Sequence, residues 1–316
     1  MKIHSGTTDP ALNIHQAYVE TPLFNGINLK AGRQILSYGD QLIISPLEWS
    51  NVGRVWDALK VEKKVGSGKI DFFQAYGSNN DTTTTEGDDH VFTGLYSMWD
   101  FGEYLKETDF YLLRNHKRAD ANAPLTYVAG LRITSKKGAI DYRYEGTFQK
   151  QNLEGLNNVT GFQEDLEVGY NIGASGYMRV AAEAFIASSH YNQLYPLGHK
   201  YLGHVDLLGR RNLKGFGASY RMKLADDLKF WLTYQSFRRY KRKASVFKVN
   251  GTAYAGASNS KDLGQEIDSW VKYSRGNDGD WILGGGYFMP GKFFKDQSAA
   301  KDDAVRFGYL MYMVKF

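Results

Sequence analysis

Hydrophobic and polar residues alternate along most of this chain. The cleanest run is Ile140–Gln149. There Ile140, Tyr142, Tyr144, Gly146 and Phe148 are interleaved with Asp141, Arg143, Glu145, Thr147 and Gln149. A period of two puts one set on each face of a β-strand. Phe162–Ile172 repeats the pattern, with Leu166, Val168, Tyr170 and Ile172 set against Gln163, Asp165, Glu167 and Asn171. About fifteen such segments of roughly 8–13 residues follow one another, from near residue 13 to the Val305–Phe316 run. Helical periodicity is hard to find, so the chain reads as all-β.

The connections alternate between short and long. VGSG, SKKG and GNDGD are short; Gly39–Gly53, Ser78–Asp89, Ser189–Asn212 and Arg238–Gly264 are long. A meander with rims this unequal is expected of an outer-membrane barrel, which has tight periplasmic turns and longer extracellular loops. Tilted strands of ~9–11 residues also match the thickness of the hydrocarbon layer. A soluble sandwich or propeller alternates too. The aromatics near segment ends (Tyr76, Tyr127, Tyr170, Tyr177, Tyr220, Tyr273, Tyr287) favour an interfacial girdle instead. The chain also stops within a strand, on Phe316, which resembles the terminal signature of bacterial outer-membrane barrels. The expectation is one domain over 1–316: a single antiparallel transmembrane barrel of about 16 strands, polar inside and apolar outside, in the bacterial outer membrane. Leu166, Val168, Leu232, Tyr142 and Tyr144 are expected to face lipid.

Composition narrows the chemistry. Aromatics make up 15% of the chain and there is no cysteine, which excludes disulfides, thiolate metal sites and a cysteine nucleophile. Mean hydropathy is −0.46, and no run approaches the ~18 apolar residues of a membrane helix. The net charge of +5 is too small to argue for nucleic acid. The start, MKIHSGTTDP, lacks the apolar core of a signal peptide. By itself this fits a cytosolic chain, a mature form with an added Met, or a chain missing its beginning.

Two stretches carry a family resemblance. Residues 15–61, HQAYVETPLFNGINLKAGRQILSYGDQLIISPLEWSNVGRVWDALKV, and 191–213, YNQLYPLGHKYLGHVDLLGRRNL, resemble motifs of the alginate-export family of outer-membrane barrels. Complete members are barrels of about eighteen strands, with three strands ahead of the QAYV strand. Here only Lys2–Gly6 precedes that point, so either those residues supply a short sixteenth strand or the chain begins part-way round. The resemblance implies a passive pore for an anionic polysaccharide, or other anionic solutes, built as a monomer by the barrel-assembly machinery. The alternatives are a loop-plugged binding or scaffold barrel and a general porin without polysaccharide specificity.

Strand phase places Arg54, Lys60, Arg132, Arg143, Arg179, Arg221, Lys229 and Lys272 inward, together with Glu62, Asp141, Glu145, Asp165, Glu167, Glu183, Glu266 and Asp268. The wall is therefore balanced in charge, and anion binding needs a local excess. A polyuronate carries one carboxylate per sugar, and guanidinium forks bind carboxylates bidentately. Arg33 and Arg54 flank the first long loop. Lys200, Arg210 and Arg211 lie in the second motif. With Arg132, Arg143, Arg179, Glu183 and Arg221 these are the expected pore residues, although Arg33 shares parity with Leu29, Ala31 and Ile35.

No GxSxG, HExxH or phosphate-binding glycine loop is present, so no catalysis and no cofactor are expected. His199 and His204 have a weak metal spacing and are expected to pack. The acidic stretch 79–89 is expected to be a hydrophilic loop, with calcium as its alternative. The Tyr191–Leu213 segment is too long for a hairpin and too apolar to lie in water, so it is expected to fold into the barrel or to cap its rim.

Overall fold

A computed structural model describes residues 14–50, 53–77, 90–117, 125–152, 158–173, 177–256, 258–297 and 303–314. Fifteen antiparallel strands form one sheet in strict sequence order, β1 to β15. They run β1 Ala17–Pro22, β2 Ile27–Gln34, β3 Trp56–Val65, β4 Gly68–Gly77, β5 His90–Trp99, β6 Glu107–Lys117, β7 Leu125–Lys137 and β8 Ile140–Asn152. Then come β9 Val159–Ile172, β10 Met178–Ala187, β11 Leu213–Lys223, β12 Leu228–Arg239, β13 Asp262–Ser274, β14 Asp280–Pro290 and β15 Val305–Met313. Among the described residues no ladder joins β15 to β1. The possible sixteenth strand at 2–6 and the acidic stretch 79–89 lie outside them.

The short rim is built from tight turns. Gly66 (φ +55°) and Gly138 (φ +59°) each open a two-residue link, the left-handed conformation that a primed hairpin turn requires. At the other rim several links are long, and two of them bend back over the sheet.

Register separates the faces. On β9, Gln163 and Asp165 are 0% and 1% exposed, whereas Leu166 and Val168 are 44% and 45% exposed. Leu166 stands opposite Tyr144 on β8 and Ala184 on β10, and Val168 stands opposite Tyr142 and Ala182. Leu232 on β12 is likewise exposed. Polar side chains are thus buried and apolar ones exposed, the inverse of a water-soluble core, which is the arrangement hydrocarbon demands.

The inward face is not uniformly polar. On β3–β6 it carries Trp56, Phe73, Phe92, Tyr96 and Tyr111, all buried. Aromatic rings fit here because the β2–β3 loop lies on them: Tyr38 stacks on Phe73 and Tyr96 at 5.6 and 4.4 Å between centroids. A glycine makes room for one of these rings. A Cβ at Gly130 would fall 2.1 Å from the Tyr111 ring, so the glycine lets that ring lie flat on β7. From β7 to β13 the inward face carries most of the charged residues, with Phe185, Trp231, Phe237 and Trp270 among them.

Leu166→Lys, at the middle of an outward face, is expected to cost about 2–4 kcal/mol of folding stability in vesicles. Ala181→Lys, on the inward face, should cost clearly less. Urea titration of the folded fraction, followed by heat-modifiable gel mobility, separates the two.

Candidate functional site

The charged half of the inward face surrounds a cavity of about 620 Å³, lined by wall residues of β6–β13 and by the two inward-bent loops. Six basic and six acidic side chains line it.

Three of the wall arginines are each shared among several carboxylates. Arg132 reaches Asp40, Glu107 and Asp109, all at 3.0 Å. Arg143 reaches Asp165 at 2.7 Å and Glu183 at 3.0 Å. Arg179 reaches Asp141 at 2.5 Å and Glu167 at 2.6 Å. The pattern follows from register. Arg143, for example, stands opposite Glu167 on β9, and Glu183 stands opposite Glu167 from β10, so cations and anions fall on neighbouring rungs of one face. Charge-assisted bonds this short hold the guanidinium planes fixed.

The β10–β11 loop enters the lumen. Its short helix α1, Gly198–Tyr201, presses buried Tyr201 against the wall, where Gln235 donates to the Tyr201 carbonyl at 2.8 Å. Arg210 reaches buried Asp165 at 2.6 Å, so Asp165 holds one arginine from the wall and one from the loop. Further along, Val205 N–H donates to Glu266 at 2.8 Å and His204 N–H to Asp268 at 3.3 Å. Gly203 (φ +88°) sits so close that an added Cβ would overlap the Glu266 carboxylate. The loop also meets the β2–β3 loop through a parallel bridge, Ile44 to Tyr195. Arg54 locks this junction by donating to the carbonyls of Ser45 at 2.9 Å and Tyr195 at 2.8 Å.

The loop ionisations fit this docking. Burial lowers the Lys200 pKa, and its ammonium donates to the Asp40 carbonyl at 3.0 Å. Burial alone would raise the Asp40 pKa, but the hydrogen bond and charge of Arg132, together with Lys200, hold it below the usual carboxylate range. His204 is pushed down to about 3 by burial and by neighbouring His199. His204 stacks on His199 at 4.2 Å, and His199 stacks on Trp49 at 3.5 Å and bonds Asp206 at 2.9 Å.

Of the residues expected in the pore, Arg143, Arg179, Glu183, Lys200 and Arg221 line the cavity together. Arg132 and Arg210 are buried in ion pairs at its edge. Three sit apart. Arg33 lies on the outer face: it stands opposite Asp57, one place from the inward pair Gln34 and Trp56, and grips Asp57 with both arms at 2.9 and 3.1 Å. Its parity with Leu29 and Ala31 was the signal. Arg54 is held by backbone carbonyls. Arg211 donates to the Ser189 carbonyl and covers the Phe247 ring at 4.2 Å, at the root of the loop.

Further cations join Arg179 and Arg221 near the short rim. Arg179 and Arg221 are ladder partners, and so are Lys223 with Lys229 and Lys229 with Lys272. Lys223 and Lys272 pair with Asp226 and Asp280; no ion pair among the described residues involves Arg221 or Lys229. Strand phase marks these lysines as inward. Their adjacency becomes visible only with the register.

The model of the alginate-export family matches residues 8–307. The chain belongs to the alginate-export family. It is a transmembrane β-barrel of the bacterial outer membrane. Solved structures share the fold. Pseudomonas aeruginosa OccK11 (OpdR) aligns with a TM-score of 0.62 and 9% identity over 91% of this chain and 76% of its own. OccK10 (OpdN) from the same organism gives 0.61 and 13% over 93% and 82%. A BenF-like porin from Pseudomonas fluorescens Pf-5 gives 0.59 and 10% over 92% and 75%. At these identities the likeness is one of fold alone. No curated protein matches the chain.

Asp165→Asn removes the charge that Arg143 and Arg210 share. Breaking a buried pair costs roughly 3–5 kcal/mol, and the loop is the less constrained partner. The loop is therefore expected to loosen while the barrel stays folded. Trypsin should cut after Arg210 or Arg211 faster than in the parent protein, and an unchanged rate would count against the shared-carboxylate docking.

Proposed function

We propose that the family-shared pore passes an anionic polysaccharide of the alginate type from the periplasm outward, as a monomeric passive channel without catalysis. The observation that carries this reading is the cation group near the short rim, where Arg179 meets Arg221 and Lys223, Lys229 and Lys272 follow one another across β11–β13. Short turns mark the periplasmic side of such barrels, so a polyanion entering there meets positive charge first. Arg179 in that group, and Arg143 deeper in, are already shared by carboxylates. Uronate groups would therefore compete for these sites instead of filling empty ones. Weak, repeated binding of that kind is what conduction requires.

The docked β10–β11 loop favours a second reading, in which the barrel is plugged and serves as a binding or scaffold protein. The two differ in conductance. In planar bilayers the export reading expects an open pore whose current is blocked by oligouronate and not by neutral maltodextrin. Arg221→Ala together with Lys229→Ala should weaken the block several-fold. No conductance under any condition would favour the plug.

The same loop sets the aperture in this reading. Deleting residues 194–208 is expected to raise single-channel conductance and loosen anion preference. Unchanged values in a folded deletion variant would make the loop a cap only.

A further inference from the structure

The outward face carries an arrangement that conduction does not use. A groove of about 460 Å³ over β4–β8 is lined by Phe72, Leu95, Leu112, Ala129 and Phe148. Leu95, Leu112, Ala129 and Phe148 form one rung across β5–β8. Leu112 and Phe148 are 59% and 55% exposed, so the small Ala129 between them is the floor of a trough walled on both sides. Two residues nearer the long-loop rim, the next outward rung is Arg114, Tyr127 and Lys150. Both cations line the mouth of the same groove, and among the described residues neither takes part in an ion pair. Adjacent strands lie ~4.8 Å apart, so the two backbones stand roughly 10 Å apart with Tyr127 between them. Long side chains spanning that gap can meet on a single anion above the ring.

Two free cations beside hydrocarbon-facing rings would be a liability without an anionic partner. The long-loop rim faces outward, and the outer leaflet there presents a glycolipid whose sugar phosphates sit directly above its acyl chains. That is the order of groups found along the groove: cations at the mouth, apolar trough beneath. A second groove, of about 500 Å³, has a similar trough but carries Glu164 on the same rung as its cations. Lys214 and Arg238 are ladder partners, and Ala184, Phe216 and Ser236 form the next rung below them, with Leu166 and Glu164 also in the lining.

We propose that the groove over β4–β8 is a binding site for the phosphorylated glycolipid of the outer leaflet, lipid A in type. Arg114 and Lys150 hold one phosphate, and an acyl chain lies along Ala129 between Leu112 and Phe148.

The test uses the full chain in zwitterionic detergent, titrated with bis-phosphorylated lipid A, dephosphorylated lipid A or phosphatidylglycerol, with bound lipid counted by native mass spectrometry. Two variants are compared: Arg114→Gln with Lys150→Gln, and Ala129→Trp, which fills the trough. All these side chains face away from the lumen, so the channel conductance of each variant should match the parent and report correct folding. Losing two interfacial cations is expected to weaken lipid A binding on the order of thirtyfold. Ala129→Trp should weaken it as well, and the dephosphorylated lipid should bind the parent no better than lipid A binds the double variant. Equal binding of phosphatidylglycerol and lipid A to the parent would overturn the assignment in favour of a general anionic surface. Unchanged lipid A binding in both folded variants would overturn the site itself.

Discussion

Hydrocarbon offers a backbone no water to bond, and this constraint organises the whole molecule. Each strand must find its hydrogen bonds in a neighbour, and a meander of fifteen strands in sequence order does so with the shortest connections. The same medium takes apolar side chains on one face and, away from the rims, sends the polar ones to the other. A single wall therefore receives Arg132, Arg143, Arg179, Glu145, Asp165, Glu167 and Glu183, and their charges must be settled among themselves.

They settle in two ways. Where the wall is charged, one guanidinium spans two or three carboxylates, and the cavity stays open between such clusters. Where the wall is aromatic, the β2–β3 loop covers it with Leu36, Tyr38, Leu42 and Ile44. The β10–β11 loop bridges the regions, apolar toward Tyr195 and cationic at Arg210. Pore shape and electrostatics are thus set by the same docking contacts, and a change at Asp165 or Arg54 alters both together.

The sequence made the barrel legible because period-two alternation records the lipid boundary directly. Leu166 and Val168 could be placed outward, and Asp165 and Glu183 inward, from parity alone. Parity does not carry register. Arg143 opposite Glu167, and Lys229 between Lys223 and Lys272, are adjacent because of strand pairing that no local pattern encodes. Parity also says nothing of loops: Arg54 looks like a pore cation by position, yet its Nη1 is held by the carbonyls of Ser45 in its own loop and Tyr195 in a distant one. The aromatic inward face of β3–β6 escaped for a related reason. Trp56 and Phe92 suit that face only because the β2–β3 loop, which the alternation does not describe, packs over them. Arg33 is the instructive middle case, since its shared parity with Leu29 already pointed away from the lumen.

The junction of Arg54 with Tyr195 joins residues 141 positions apart in the chain. Strands β3 to β10 lie between them, and each pairs with its immediate neighbour. Closing so long a loop is entropically slow, whereas adjacent hairpins form locally. Wall assembly is therefore expected to precede the meeting of the two loops, leaving a wider bore until the interior is laid down. Contacts that form late would be absent from the transition state. Such contacts would govern how slowly the finished protein opens and leave the rate at which it is built almost untouched.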